Sequence, residues 1–337
     1  MHNESIDISK LLNDLSNSFF LKFPDTIPKI EKIGGDASTR RYYRVKTEEN
    51  SYILCKDESL SGPENHDLFC KTQKILKSYN IPVPELYDAN LSSSMILEQD
   101  LGDETLLKRL SSFHNNEDEF EAYKLILNIM IKIHTIEPKE HSKENFTKLL
   151  FDQDKLMEEV NFTIKYFCEG FLGNSLGRDT LRAFKDLSIS LSQEKMVPTH
   201  RDFHSRNIMC FQGAFYIIDF QDIRMGLPQY DLVSLLEDCY YKIGEENLEK
   251  LKNYYYKNYI QIYSNQTREK FEKLYDFMTI QRTFKAIGSF SYLFLVKKDP
   301  RYLKHIGFGM EKIRHKVNKY SEFYKLKEDL FKSYYEN

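Results

Sequence analysis

Residues 200–220 constrain the fold more than any other part of this 337-residue chain. They begin with a polar octapeptide, HRDFHSRN, and continue with two apolar runs, IMCF and AFYIIDF. Gln212 and Gly213 join the two runs, and a two-residue connection containing glycine predicts a β-hairpin. The hairpin would turn the chain back towards the octapeptide. The segment therefore predicts a loop fixed against a short pair of strands, which is a suitable place for functional side chains.

The chain changes character near residue 101. Residues 27–101 contain short runs rich in β-branched and aromatic residues, separated by turn sequences, and this pattern predicts β-strands. One helix is predicted at about residues 64–79, because the extended segment IPVP follows it. Beyond residue 101, stretches such as EFEAYKLILNIMIKIH show helical periodicity. We therefore predict an α+β fold with two lobes, a small β-rich lobe over residues 1–100 and a larger helical lobe over residues 101–337.

The composition excludes several classes of partner. Lys and Arg total 48 against 51 for Asp and Glu, and a net charge of -3 gives no electrostatic basis for binding nucleic acid or an anionic membrane. The first residues lack a basic segment followed by an apolar core, and the apolar runs are too short to span a bilayer, so we expect no signal peptide and no membrane partner. The five cysteines include no C-x-x-C pair, which favours reduced thiols and a cytoplasmic location. We also expect a monomer.

The octapeptide matches the pattern H-R-D-L-x-x-x-N of the kinase catalytic loop, with Phe203 in the Leu position. In that pattern Asp202 is the base for the acceptor hydroxyl and Asn207 binds a metal ion. Asp219 ends the predicted hairpin, where kinases have the metal-binding Asp of Asp-Phe-Gly. Carboxylate and amide oxygens are suitable ligands for Mg²⁺. The segment therefore predicts phosphoryl transfer that uses ATP and Mg²⁺.

The N-terminal lobe contains candidates for nucleotide binding. A turn between two predicted strands can present backbone N–H groups to phosphates, and it consists of Gly34, Gly35, Asp36, Ala37 and Ser38. Lys56 ends the strand SYILCK, which compares with the V-A-I-K strand that carries the phosphate-binding lysine of kinases. Its carboxylate partner stays open between Glu64, Asp67 and none. We expect the adenine to contact the backbone of the link that contains Glu98 and Asp100.

Other interpretations of these motifs are less well supported. His200 and His204 have the i, i+4 spacing of a zinc site on a helix, but the glutamate of H-E-x-x-H is missing. A protein kinase needs a long activation segment, and only twelve positions lead from Asp219 to Asp231, with no A-P-E motif. A non-catalytic pseudokinase usually lacks the base, a metal ligand or the lysine, and all three are present. Asp231 itself is predicted to cap the helix that follows it.

The chain resembles the aminoglycoside phosphotransferase family of protein-kinase-like enzymes. The resemblance is carried by the blocks GGDASTRRYYRV, DLGDETLL, HRDFHSRNIM and DFQDIRMGLPQYDLVSLLEDCY. Within this family, the chain is similar to the bacterial N-acetylmuramate/N-acetylglucosamine anomeric kinases of cell-wall sugar recycling. The resemblance implies a two-lobed protein-kinase-like fold, an aspartate at position 231 that braces the catalytic loop, and a small sugar as acceptor. An aminoglycoside, choline or another amino alcohol stays open as the acceptor.

The residues that contact the acceptor have no sharp motif. Helices that include residues 281–288 are expected to form the wall opposite Asp202, because the short segment after Asp219 leaves the pocket open. Surface salt bridges would explain the positive charges in this region equally well. The substrate-contacting candidates are His204, Arg206, Arg224, Arg282 and Lys285.

Overall fold

The structure is a computed structural model that describes residues 28–33, 40–56, 63–90, 94–113 and 115–335. The chain divides into two compact units. The N-terminal unit extends to Glu104 and also contains Met209–Gln221, whereas the C-terminal unit comprises Thr105–Ile208 and the chain from Asp222 onward. The boundary predicted at residue 100 assigned the hairpin to the C-terminal lobe, whereas in the structure the hairpin packs with the N-terminal unit.

The N-terminal unit contains an antiparallel five-stranded sheet in the order β1-β2-β3-β5-β4. Side-chain alternation along the strands places Tyr43, Val45, Leu54, Met95 and Leu97 in one buried cluster. In the described residues between β3 and β4, the helix α1 lies close to the predicted position. The elements are β1 (Lys29–Ile33), β2 (Arg41–Lys46), β3 (Ser51–Lys56), α1 (Pro63–Ser78), β4 (Leu86–Asn90) and β5 (Met95–Gln99).

The predicted hairpin is present, with strands Ile208–Phe211 and Ala214–Ile217. Gln212 and Gly213 have φ values of 49° and 78°, and both positive values are those that a type I′ connection requires. The Cys210 N–H donates to the Glu104 carbonyl over 2.7 Å and the Ile217 N–H to the Pro82 carbonyl over 2.8 Å. These backbone bonds join the hairpin to the N-terminal unit.

The C-terminal unit is mostly helical. Its longest helix, α9, is buried along most of its length and packs against α4, α5, α6 and α10. The segments Val197–Thr199 and Arg224–Gly226 form a short antiparallel pair. The helices are α2 (Leu106–Leu110), α3 (Asn116–His134), α4 (Gln153–Thr163), α5 (Arg178–Ser192), α6 (Gln229–Leu236), α7 (Glu245–Tyr255), α8 (Gln261–Tyr263), α9 (Arg268–Leu295), α10 (Ile306–Val317) and α11 (Tyr324–Tyr335).

Side-chain caps begin four of these helices, α2, α3, α4 and α9. The Asn115 side chain accepts the Asp118 N–H at the start of α3 over 2.8 Å, and the Thr267 hydroxyl accepts the Lys270 N–H at the start of α9 over 3.2 Å. All five cysteines are free thiols. Within the described ranges, no helix combines the length and apolarity that a membrane span requires.

At Gly288, α9 lies close against α4, and this glycine provides a test of the packing. A Cβ atom at Gly288 would lie 2.3 Å from Thr163 Oγ1 and 2.7 Å from Thr163 Cα. Thr163 is buried, and its hydroxyl donates to the Glu159 and Phe284 carbonyls over 3.1 Å each, so it cannot move aside without losing these bonds. We expect Gly288→Ala to lower the free energy of unfolding by about 1–3 kcal/mol, measured by urea denaturation.

The matched control for this variant is Gly307→Ala in α10. The added methyl group there would meet one neighbouring atom, the Tyr334 hydroxyl oxygen at 3.2 Å. This variant should unfold at or above the wild-type urea concentration, because alanine favours the helix over glycine. Equal stability of the Gly288→Ala variant and the wild type would contradict the close α4–α9 packing.

Candidate active site

The octapeptide forms an irregular loop directly after Val197–Thr199, held by a buried carboxylate. Arg201 has a φ of 81°, a left-handed conformation that side chains other than glycine rarely adopt. Asp231 in α6 accepts the N–H of His200 over 2.6 Å and that of Arg201 over 2.9 Å. These two bonds hold the loop in its strained conformation.

The prediction that Asp231 caps its helix is wrong. The N-cap position of α6 is Pro228, and Asp231 lies inside the first turn, where its carboxylate is directed to the loop instead. The brace that the family resemblance implies is therefore the role that the geometry supports. His134 Nε2 also lies 3.2 Å from Asp231 Oδ2, and the Tyr255 hydroxyl lies 2.6 Å from His134 Nδ1. This buried chain fixes the carboxylate from behind.

A second carboxylate, Asp238, holds the other end of the loop. It accepts the Ser205 N–H over 3.0 Å, the Ser205 hydroxyl over 2.5 Å and the Tyr240 N–H over 2.9 Å. The sequence analysis missed Asp238, although an acidic residue at the end of the apolar run SLLED was a signal.

Asn207 donates its side-chain N–H to the Asp202 carbonyl over 3.0 Å. No donor to Asn207 Oδ1 is found in the described part of the chain.

Asp202 is surrounded by positive charge. Its Oδ1 accepts hydrogen bonds from Arg282 Nη2 over 3.1 Å and from Lys285 Nζ over 3.2 Å. Arg201 Nε lies 3.9 Å from its other oxygen. Burial raises the pKa of Asp202, but the charges of Lys285, Arg282 and Arg201 more than offset this effect and hold the pKa well below its usual range. The carboxylate is therefore ionised at neutral pH.

A pocket with a volume of about 160 Å³ opens beside Asp202 within the C-terminal unit. Three substrate candidates, His204, Arg282 and Lys285, line it together with Asp202. Tyr240 and Phe290 add aromatic rings to its wall, and the sequence analysis had not selected them. Several lining residues belong to the predicted wall at residues 281–288, so the structure brings this part of α9 to Asp202.

The remaining two candidates lie elsewhere. Arg206 does not line the pocket; its guanidinium stacks over Tyr240 and Tyr302, 5.0 Å and 5.3 Å from their centroids, and its Nη1 donates to the Tyr302 hydroxyl. Arg224 is buried over the Phe151 ring, 5.1 Å from the centroid. Their contact with a substrate stays a prediction.

The nucleotide candidates of the N-terminal unit are only partly described. Gly34, Gly35, Asp36, Ala37 and Ser38 lie outside the described residues. Lys56 ends β3, paired with Arg41 on one side and Met95 on the other. The side chains of Glu64 and Asp67 also lie outside the described part, so the carboxylate partner of Lys56 stays open.

Asp100 has a structural role in the link after β5. Arg44 donates to its two oxygens over 2.7 Å and 3.0 Å, the Ser51 hydroxyl donates over 2.5 Å, and the Gly102 N–H donates over 2.9 Å. Burial raises the pKa of Asp100, but the hydrogen bonds from Arg44, Ser51 and Gly102 and the charge of Arg44 together outweigh burial, and the pKa is lowered. Because the carboxylate is fully engaged, only the backbone of this link suits the predicted contact with adenine.

Asp219 has a φ of 64°, another left-handed conformation at a residue other than glycine. Its Oδ1 accepts hydrogen bonds from Arg40 Nη1 over 2.8 Å and from the Gln221 amide over 2.7 Å. The sequence analysis missed Arg40, which lies just after the glycine turn.

Burial raises the pKa of nearby Glu98 to about 7. The charge of Arg40 opposes this rise and that of Asp219 adds to it.

Each of the two predicted metal ligands carries an oxygen of the type that a hard divalent cation prefers, and their binding of a metal ion stays a prediction. Asp219 offers a carboxylate that already binds the positive charge of Arg40, and Asn207 offers an amide oxygen. Asp219 belongs to the N-terminal unit and Asn207 to the C-terminal unit. His200 and His204 lie in the irregular loop, not on the helix that their i, i+4 spacing would need to form a zinc site.

Solved structures show the same fold. The ADP-bound crystal structure of aminoglycoside phosphotransferase APH(2'')-Ib covers 93% of this chain and 99% of its own, with a TM-score of 0.58 and 14% identity. This similarity confirms the predicted α+β protein-kinase-like fold. The fold and the H-R-D-x-x-x-x-N loop together define the structural class of the chain, the protein-kinase-like fold.

The family follows from the sequence comparison. The model of the phosphotransferase enzyme family, APH, matches residues 29–269, more than half of the chain, so the protein belongs to that family. The N-acetylmuramate/N-acetylglucosamine kinase of Neisseria meningitidis serogroup B is 26% identical over 323 residues, which cover 91% of each chain. The Pseudomonas aeruginosa protein of the same name is 28% identical over 289 residues, covering 82% of this chain and 81% of its own. The predicted family and the predicted enzyme class are confirmed.

Proposed function

We propose that the protein transfers the γ-phosphoryl group of ATP to the anomeric hydroxyl group of N-acetylmuramate or N-acetylglucosamine. The observation that carries this proposal is the ionised Asp202 at the edge of a small polar pocket in the C-terminal unit. The names of the two relatives, which match most of the chain, support these sugars as acceptors. A compact pocket with converging polar groups also suits a monosaccharide.

The reaction breaks the bond between the γ-phosphorus and the bridging oxygen of ATP and forms a bond from this phosphorus to the sugar O1. The O1 proton passes to the Asp202 carboxylate, and the products are ADP and a sugar 1-phosphate. Asp202 orients the hydroxyl before the transfer and accepts the proton as the O–P bond forms. Its low pKa suits orientation and late proton acceptance better than early deprotonation.

The remaining roles are assigned by residue type. Asn207 and Asp219 would hold Mg²⁺, which offsets the negative charge of the transferring phosphoryl group when it is bound. Lys56 and the turn of residues 34–38 would orient the phosphates, and the backbone at Glu98 and Asp100 would bind the adenine. The cytoplasmic location and the monomeric state stay predictions.

The charges of the pocket favour an acetylated amino sugar over a cationic aminoglycoside. Three carboxylates line it, and each is already hydrogen-bonded by the protein. Glu237 binds Lys312 over 3.2 Å and Lys316 over 3.4 Å, Asp238 binds the loop, and Asp202 binds α9. An aminoglycoside ammonium group would need a carboxylate that is not yet engaged.

The test is an ADP-release assay with purified protein, Mg·ATP and a panel of acceptors. We expect turnover with N-acetylmuramate and N-acetylglucosamine and none with choline or an aminoglycoside. In the product, ³¹P coupling to the anomeric proton should identify the 1-phosphate. Turnover with choline or an aminoglycoside alone would contradict the sugar assignment while keeping the kinase assignment. If the protein binds ATP but no acceptor accelerates ADP release, the protein would instead be a binding module.

A further inference from the structure

Two cations of the pocket share a single carboxylate oxygen. Arg282 and Lys285 are separated by about one turn of α9, and both donate to Asp202 Oδ1. The other pocket carboxylates, Glu237 and Asp238, have partners of their own. Among the described carboxylates that line the pocket, Asp202 alone is therefore hydrogen-bonded to these two cations.

Both cations keep donors for a ligand. The Lys285 ammonium has three N–H groups, and Asp202 is the only hydrogen-bond acceptor seen for it in the described ranges. Arg282 uses Nε for the Ser234 hydroxyl over 3.0 Å and Nη2 for Asp202, and its Nη1 has no acceptor in the same part of the chain. Both residues line the pocket, so these donors lie next to the space that an acceptor would occupy.

Burial makes an additional anion favourable at this place. Burial lowers the pKa of Lys285. The negative charge of Asp202 opposes this decrease, and the positive charge of Arg282 adds to it. A second anion would reduce the repulsion between the two cations and give each a charge-assisted hydrogen bond, which is stronger than a neutral one. A planar carboxylate also matches the fork of a guanidinium group.

We propose that Arg282 and Lys285 form an anion subsite that binds a carboxylate substituent of the acceptor, so that the pocket prefers an acidic amino sugar to its neutral analogue. This inference rests on the proposed function. N-acetylmuramate differs from N-acetylglucosamine by a lactyl ether at O3, and this group carries a carboxylate. The subsite would bind that carboxylate while Asp202 binds the O1 hydroxyl.

The test compares three sugars in two assays. N-acetylmuramate, its methyl ester and N-acetylglucosamine are measured by calorimetric binding and by steady-state turnover. The methyl ester keeps the lactyl ether, adds one methyl group and loses the charge, and N-acetylglucosamine lacks the whole substituent, so the three sugars together separate charge from size. Wild-type protein should bind N-acetylmuramate at least about tenfold more tightly than the ester, the range expected for a hydrogen bond to a charged group.

The variant Lys285→Met keeps the length of the side chain and removes its charge. It should lose most of the preference for N-acetylmuramate over the ester, whereas Lys285→Arg should retain it. Because Lys285 also contacts Asp202, Lys285→Met should lower kcat for all three sugars; the subsite is shown by the additional rise in Kd and KM for the acid alone. Lys273→Met, on α9 but half exposed and paired with Glu322, is the matched control and should behave as wild type.

Two outcomes would overturn the subsite. One is equal affinity of wild-type protein for the acid and the ester. The other is a Lys285→Met variant that weakens all three sugars by the same factor, because Lys285 would then act only by positioning Asp202. Failure of the proposed function looks different: N-acetylmuramate would bind with the expected preference, yet ADP release would not accelerate. If Lys285→Met does not fold, Arg282→Lys provides the same comparison, because it removes the guanidinium fork and should reduce the preference.

Discussion

Replacing Asp202 by alanine is expected to lower kcat by at least about a hundredfold while ATP still binds. The loss combines the positioning of the acceptor hydroxyl with acceptance of its proton. The measurement is single-turnover and steady-state ADP release with the sugar acceptors, together with calorimetric titration of ATP. Turnover at the wild-type rate in a folded Asp202→Ala protein would show that the catalytic-loop assignment is wrong.

This variant also removes the shared partner of Arg282 and Lys285, so two cations would be left together in the pocket. Thermal unfolding must therefore accompany the kinetics. Asp202→Asn serves as a second variant, because its amide oxygen still accepts a hydrogen bond from α9 while it no longer accepts a proton. Asp186→Ala is the matched control, since that aspartate is exposed on α5 and does not line the pocket. Its carboxylate oxygen lies 3.9 Å from Arg182 Nε, so little is lost when it is removed. The Asp186→Ala variant should leave kcat unchanged.

The same charges set the expected pH dependence. The pKa of Asp202 is depressed, so the carboxylate stays ionised as the pH falls through the ordinary aspartate range near 4. Asp202 should therefore add no acid limb to kcat/KM above about pH 4. Lys285→Met removes one of the charges that hold the pKa down, so any acid limb from Asp202 should move to higher pH.

Asp219→Asn is expected to abolish Mg²⁺-dependent turnover. A neutral amide cannot supply the charge that a hard divalent cation requires, although it can still accept the hydrogen bonds of Arg40 and Gln221. Because those bonds can persist, the fold should be kept and the loss should be specific to the metal. Calorimetric titration of ATP with and without Mg²⁺ provides a measurement that does not depend on turnover: Mg²⁺ should strengthen ATP binding to the wild type and leave the variant unaffected.

Asp103→Asn is the control for this variant, because Asp103 is an exposed acidic residue of the same unit that pairs with Arg44. It should retain full Mg²⁺ dependence. A chelator selective for zinc should leave the wild type active. Complete inhibition by such a chelator would favour a metal site at His200 and His204. Undiminished Mg²⁺-dependent activity of Asp219→Asn would show that Asp219 is not a metal ligand.

The features predicted correctly from the sequence depend on neighbours along the chain. The strands and α1 follow from side-chain periodicity and from turn residues, which act over a few positions. The hairpin follows in the same way, because Gln212 and Gly213 adopt the positive φ values that its short connection needs. The order of the turn, the strand lysine, the octapeptide and Asp219 was sufficient to indicate phosphoryl transfer.

The tertiary structure alone decided which distant side chains meet. Asp202 contacts Arg282, eighty positions away, and Asp219 contacts Arg40 across 179 positions, and no local pattern indicates such pairs. The family resemblance implied the brace at Asp231, whereas Asp238 was missed, because a buried acidic residue in an apolar run reveals its partner only after folding. Arg206 and Arg224, equally basic in the sequence, stack on aromatic rings instead of lining the pocket. Sequence determines the chemical groups and their local geometry, but the packing of α6 and α9 determines which charges surround Asp202, since electrostatic interaction depends on distance in space and on burial rather than on position in the chain.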